Sequence, residues 1–72
     1  MKFTGDEIKN MLNHIRVGDA LDESVESRLY EYFLLNGEMP YGVAKARTGD
    51  PSVWISDRLE EMEEEEIVEA FS

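Results

Sequence analysis

The chain has 72 residues, with seven Lys and Arg against 17 Asp and Glu, and a formal net charge of −10. From this length we expect one small core and no second domain. Apolar residues make up 42% of the chain, which is enough for a folded unit and too much for a fully disordered one.

The chain contains no cysteine, which excludes disulfides, thiolate catalysis and thiolate metal sites and fits a reducing intracellular compartment. The first residues turn acidic before any apolar run, so we do not expect a secretory signal. No later stretch is long and apolar enough to span a bilayer. We therefore expect a cytoplasmic protein with no membrane contact.

The first two predicted helices each carry one apolar stripe. Thr4 is placed to cap the first helix and Gly18 to end it. The second helix is predicted to begin between Asp19 and Asp22 and to end at Asn36-Gly37. The apolar positions at helical spacing are Ile8, Met11, Leu12 and Ile15 in the first helix and Val25, Leu29, Tyr32 and Phe33 in the second.

Two prolines predict a third and a fourth helix joined by a tight turn. Met39-Pro40 begins the third helix, because the fixed φ and the missing N–H of proline suit the first helical position. This helix is predicted to reach Thr48-Gly49. Asp50-Pro51 then supplies an N-cap residue followed by proline at the first position of the fourth helix. The predicted buried face of the fourth helix is Ile55, Leu59 and Met62.

Negative charge is concentrated at the end of the chain. Residues 1–59 carry seven basic and ten acidic side chains, a net of −3, whereas residues 60–72 carry seven Glu and no base, a net of −7. Three apolar residues lie at helical spacing in this segment: Ile67, Val68 and Phe71. This spacing favours a helix docked on the core. The alternative is a mobile acidic tail, because like charges at i,i+4 disfavour a helix. We predict an all-α fold, with a small four-helix domain over residues 1–59 and an acidic C-terminal extension over residues 60–72.

The third and fourth helices, joined by a glycine-containing turn, have the pattern of a helix-turn-helix over about residues 39–62. The positions that carry a further likeness are Leu35-Asn36-Gly37-Glu38-Met39, Ala44, Ala46, Thr48-Gly49, Ile55-Ser56 and Leu59. On these positions, residues 35–59 resemble the TrfB family, the KorA-type plasmid repressors, and more weakly the PapB-type fimbrial regulators. The resemblance implies a dimeric repressor that binds specific DNA sequences. Its implied DNA contacts are Lys45, Arg47, Ser52 and Ser56.

The charge of the fourth helix favours a protein partner instead of DNA. If the predicted buried face points inward, the outward face consists of Val53, Ser56, Asp57, Glu60 and Glu64. That face would bring carboxylates close to phosphates, and the net charge of the whole chain opposes the approach to DNA.

In size and charge, the chain is also similar to small acidic phage proteins that bind host RNA polymerase. We therefore expect a monomeric transcription regulator that binds bacterial RNA polymerase, or another basic transcription component, and inhibits initiation or suppresses termination. The alternative is the TrfB-like DNA-binding repressor. The predicted partner-binding residues are Val53, Trp54, Ser56, Asp57, Glu60, Glu61 and Glu64.

Three features allow a structural and a functional interpretation. Trp54 is either half-buried against Tyr41 or the second helix, or exposed as a binding anchor, and packing is the commoner outcome. His14 is expected at the edge of the first apolar stripe, with no second ligand at metal spacing. The basic residues Lys45, Arg47 and Arg58 are either a phosphate-contacting set or, as we expect, paired locally with Asp50, Asp57 and the Glu run.

No constellation typical of an enzyme is visible. The sequence has no glycine-rich phosphate loop and no nucleophile beside a base, and its acidic segment from Asp19 to Glu23 lacks the spacing of an EF-hand. We therefore expect neither enzymatic activity nor a cofactor.

Overall fold

The computed structural model describes residues 1–46 and 49–72. Within these residues the chain forms five helices and no strand, which confirms the predicted all-α class. The number of helices differs from the predicted four, because the acidic end of the chain forms a helix of its own. The helices are α1 (Gly5–Val17), α2 (Glu23–Leu35), α3 (Tyr41–Ala44), α4 (Asp50–Glu61) and α5 (Glu64–Phe71).

The predicted ends of α1 and α2 are confirmed. Thr4 caps α1, since its hydroxyl accepts a hydrogen bond from the Glu7 backbone N–H while the Glu7 carboxylate accepts one from the Thr4 N–H. This backbone hydrogen bond, together with the Arg28 guanidinium, holds the pKa of Glu7 below its ordinary value. Gly18 and Gly37 end the two helices with φ of 76° and 70°, a left-handed conformation that glycine adopts without strain.

The predicted bounds of α3 and α4 need correction. Pro40 precedes α3 instead of occupying its first position, because its carbonyl already accepts hydrogen bonds from the backbone N–H groups of Val43 and Ala44. α3 ends after one turn, at Ala44. Of the predicted end at Thr48-Gly49, Thr48 lies outside the described residues and Gly49 directly precedes α4. In α4, Asp50 and Pro51 are the first and second helical residues, where the missing N–H of proline leaves no intrahelical hydrogen bond unmade.

The predicted domain boundary after Leu59 falls inside α4, and the acidic extension is part of the core. Met62, at the end of α4, has extended backbone angles, φ −88° and ψ 142°, which separate α4 from α5. α5 then packs against α1, and the Phe3 backbone N–H donates to the Phe71 carbonyl at 2.8 Å. Of the two alternatives for residues 60–72, the structure therefore has the docked helix.

All five helices surround or border one apolar core. It includes the predicted buried face of α4 and a group of aromatic rings packed edge to face around Phe71. The buried residues are Phe3, Met11, Val25, Leu29, Phe33, Met39, Ile55, Leu59, Met62, Ile67 and Phe71. In the described part of the chain, no helix is both long enough and apolar enough to cross a membrane.

α3 and α4 pack against each other, as the helices of a helix-turn-helix do. The single turn of α3 is shorter than the sequence predicted. The helix-turn-helix over residues 39–62 stays a prediction.

Candidate protein-binding surface

The exposed face of α4 carries an acidic stripe. Ile55 and Leu59 turn into the core, so the residues on the opposite side of the helix point to solvent. Four of them, at helical spacing, form the α4 stripe: Val53, Asp57, Glu60 and Glu61. Val53 is 59% exposed, and the three acidic residues are exposed as well. The predicted outward positions 53, 57 and 60 are confirmed.

Trp54 borders this stripe and is half-buried. Its ring centre lies 5.2 Å from that of Phe33 at an interplanar angle of 79°, so the indole packs on α2 and not on Tyr41, which is 75% exposed. With Asp57, Arg58 and Glu61 it lines a depression of about 240 Å³. Trp54 thus has a packed side and a side that borders a depression flanked by carboxylates.

Two residues predicted on the outward face of α4 lie elsewhere. Ser56 is half-buried and its hydroxyl lies 2.8 Å from His14 Nε2, so it faces α1. Glu64 belongs to α5, because the chain turns at Met62, and its carboxylate pairs with Arg16 of α1. The seven predicted partner-binding residues therefore do not share one surface.

His14 links three parts of the fold, a role that the sequence did not indicate. Its Nδ1 lies 2.6 Å from the Asp19 carbonyl oxygen, an acceptor only, so Nδ1 carries the proton and donates. In the neutral ring Nε2 then accepts from the Ser56 hydroxyl. This contact joins α1 to α4 across 42 positions in the chain, so no local spacing could have predicted it.

Lys45 and Arg58 have partners other than those predicted. Arg58 pairs with Glu38 at 3.1 Å and not with Asp57 or the Glu run. Lys45 donates to the Tyr41 hydroxyl at 2.9 Å and lies over the Tyr41 ring. Arg47 lies outside the described residues.

The two serines of the proposed DNA-contacting set are engaged within the protein. Ser52 is half-buried and donates to the Glu26 carboxylate, and Ser56 is bonded to His14. A contact from either hydroxyl to a phosphate would require these intramolecular hydrogen bonds to break.

Within the described residues, most carboxylates after Leu59 have no ion-pair partner. Residues 60–72 contain seven Glu. Among residues 1–46 and 49–72, Glu64 pairs with Arg16, and the other six Glu have no ion-pair partner. Arg16 lowers the pKa of Glu64 through a hydrogen bond, and Glu64 raises the pKa of Arg16 in the same way. Such a field attracts basic surfaces and repels phosphates.

Within the described residues, no group of three carboxylate or imidazole side chains is arranged to hold a metal ion. Comparisons of the chain with protein-family models, with curated proteins and with solved structures give no significant match. The resemblance of residues 35–59 to the TrfB family stays a sequence-based prediction.

Proposed function

We propose that this protein is a cytoplasmic transcription regulator that binds a basic protein surface through the α4 stripe, with bacterial RNA polymerase as its partner. The observation that carries the proposal is the exposure of Asp57, Glu60 and Glu61 on one helix face, where none of them has an ion-pair partner among the described residues. Docking of a basic surface would supply the missing counter-charges.

The stripe combines a long-range with a short-range contribution to binding. Its carboxylates add to a net charge of −10, which steers a basic partner over a range of about 10 Å at 0.1 M salt. Val53 and the accessible side of Trp54 offer apolar contact once the partner has arrived. Tryptophan beside a polar rim is a common anchor of protein interfaces.

The alternative is a TrfB-like repressor that binds DNA. Its support is the sequence resemblance and the packing of α3 against α4. Against it stand the acidic α4 stripe, which opposes the approach of phosphates, and the engagement of Ser52 and Ser56 within the protein.

The test is neutralisation of the α4 stripe by Asp57→Asn, Glu60→Gln and Glu61→Gln together. The affinity of the purified variant for purified bacterial RNA polymerase is measured by biolayer interferometry at several salt concentrations. We expect about a tenfold loss, since each exposed charge pair contributes a few tenths of a kcal/mol to about 1 kcal/mol. The salt dependence of binding should also weaken, because fewer charges remain to be screened.

The matched control is Asp19→Asn, Glu23→Gln and Glu31→Gln, which removes the same charge from exposed positions before and on α2. An equal loss in both triple variants would mean that net charge, and not the α4 stripe, drives binding. A wild-type protein that does not bind polymerase, but retards duplex DNA in a sequence-dependent way, would favour the repressor.

A further inference from the structure

A second concave surface lies between α1 and α5, and no residue of α4 lines it. It has a volume of about 400 Å³. We call it the α1–α5 groove; its lining residues are Leu12, Arg16, Glu64, Glu65, Val68 and Glu69.

Apolar and charged side chains line the groove together. Leu12 of α1 and Val68 of α5 supply its apolar surface, and Val68 is 43% exposed although its neighbour Ile67 is fully buried. Glu65 and Glu69 are one helical turn apart on α5 and therefore flank Val68 on the same side.

The charge of the groove is only partly balanced from within the protein. Arg16 Nε donates to the Glu64 carboxylate at 2.7 Å, and this pair links the two walls of the groove. Neither Glu65 nor Glu69 has an ion-pair partner in the described part of the chain. One Arg against three Glu leaves a formal net charge of −2 on the lining residues.

We propose that the α1–α5 groove binds an amphipathic, basic helix of a protein partner. An apolar side chain of that helix packs on Leu12 and Val68, and Lys or Arg residues one turn away pair with Glu65 and Glu69. The inference shares with the proposed function the need for a basic protein partner, but it assigns a different surface.

Charge selects this occupant over the others that an apolar groove could take. Phosphates of DNA or of an anionic membrane would meet the carboxylates of Glu65 and Glu69. A second copy of this chain carries a net charge of −10 and would bring further carboxylates to the same place. A basic amphipathic helix supplies both the apolar side chain and the counter-charges.

The probe is a fluorescein-labelled synthetic helix of about 14 residues, made of Leu and Lys with all Leu on one face, which matches the roughly 20 Å length of α1. Amide chemical shifts of the whole ¹⁵N-labelled chain are followed during titration. We expect the largest changes around Leu12 and Val68. Glu65→Gln combined with Glu69→Gln should weaken probe binding about fivefold, measured by fluorescence anisotropy.

The matched control is Glu23→Gln combined with Glu31→Gln, which removes the same charge from exposed positions of α2, outside both proposed surfaces. It should change the affinity for the probe less than about twofold, because these carboxylates do not line the groove. Equal effects of the two double variants would overturn the inference, as would equal binding of a scrambled Leu/Lys peptide that has no apolar face.

The remaining outcomes separate this inference from the proposed function. Shift changes centred on Val53 and Trp54 would overturn the groove as the binding site and support the α4 stripe. Failure of the wild-type protein to bind the probe would also overturn the groove, whereas polymerase binding that depends on the α4 stripe would leave the proposed function standing. Concentration-dependent dimerisation that perturbs Leu12 and Val68 would show that the occupant is a second copy.

Discussion

Phe71→Ala tests whether the acidic end of the chain stabilises the fold. Phe71 is fully buried, and its ring centre lies 5.0 Å from that of Phe3 and 4.9 Å from that of Tyr32. Replacing a buried Phe with Ala costs about 3–5 kcal/mol, from lost apolar burial and the cavity left behind. A chain of this length has a free energy of unfolding of roughly 4–11 kcal/mol. The variant should therefore lose a large part of its stability.

The assay is urea denaturation, followed by far-ultraviolet circular dichroism and by Trp54 fluorescence. The matched control is Val68→Ala on the same helix, where the side chain is partly exposed and the expected loss is about 0.5 kcal/mol. Because α5 packs on α1, the loss in the Phe71 variant should appear in both signals at the same urea concentration. If Phe71→Ala and Val68→Ala unfold at the same midpoint as the wild type, α5 does not contribute to the core and the segment is a mobile tail.

Two further predictions concern polar contacts between helices. His14→Ala removes two hydrogen bonds and should lower the free energy of unfolding by about 1–2 kcal/mol in urea denaturation. A double-mutant cycle with Ser56→Ala should give a coupling energy of about 0.5–1 kcal/mol. Additive losses in the two single variants would contradict the contact between His14 and Ser56. Arg16 holds the pKa of Glu64 below its ordinary value of 4.5. The ion pair therefore stabilises the fold fully above pH 4.5, and this stabilisation is lost as the pH falls through the lower pKa of the folded state. The stability of the wild type relative to Glu64→Gln should therefore decline in acid, and a difference that stays constant well below pH 4.5 would refute the pairing.

Local signals in the sequence determined where most of the helices begin and end. The cap at Thr4 and the left-handed glycines at 18 and 37 act within a few residues of themselves, so they can be interpreted without a tertiary structure. The proline signals predicted the starts of α3 and α4 to within one residue, because both lie in the first turn or just before it.

Helical periodicity also predicted much of the candidate site. The spacing of Ile55, Leu59 and Met62 identified the buried face of α4, and with it the exposure of Val53 and Asp57 on the other side. The boundaries of that exposed face were not predictable in the same way. A helical wheel gives the direction of a side chain but not the width of the surface that a neighbouring helix covers.

Only the tertiary structure decided which polar residues face another helix and which face solvent. Ser56 points at His14 because α1 lies beside α4, and Glu64 pairs with Arg16 because the chain turns at Met62. If α4 continued as one unbroken helix through the Glu-rich segment, that segment would be a solvated extension of α4. The turn instead brings Ile67 and Phe71 into the core and leaves their acidic neighbours on its surface. The sequence by itself therefore determined the helical class, the caps and the concentration of negative charge, whereas the packing of α5 on α1 decided where that charge lies.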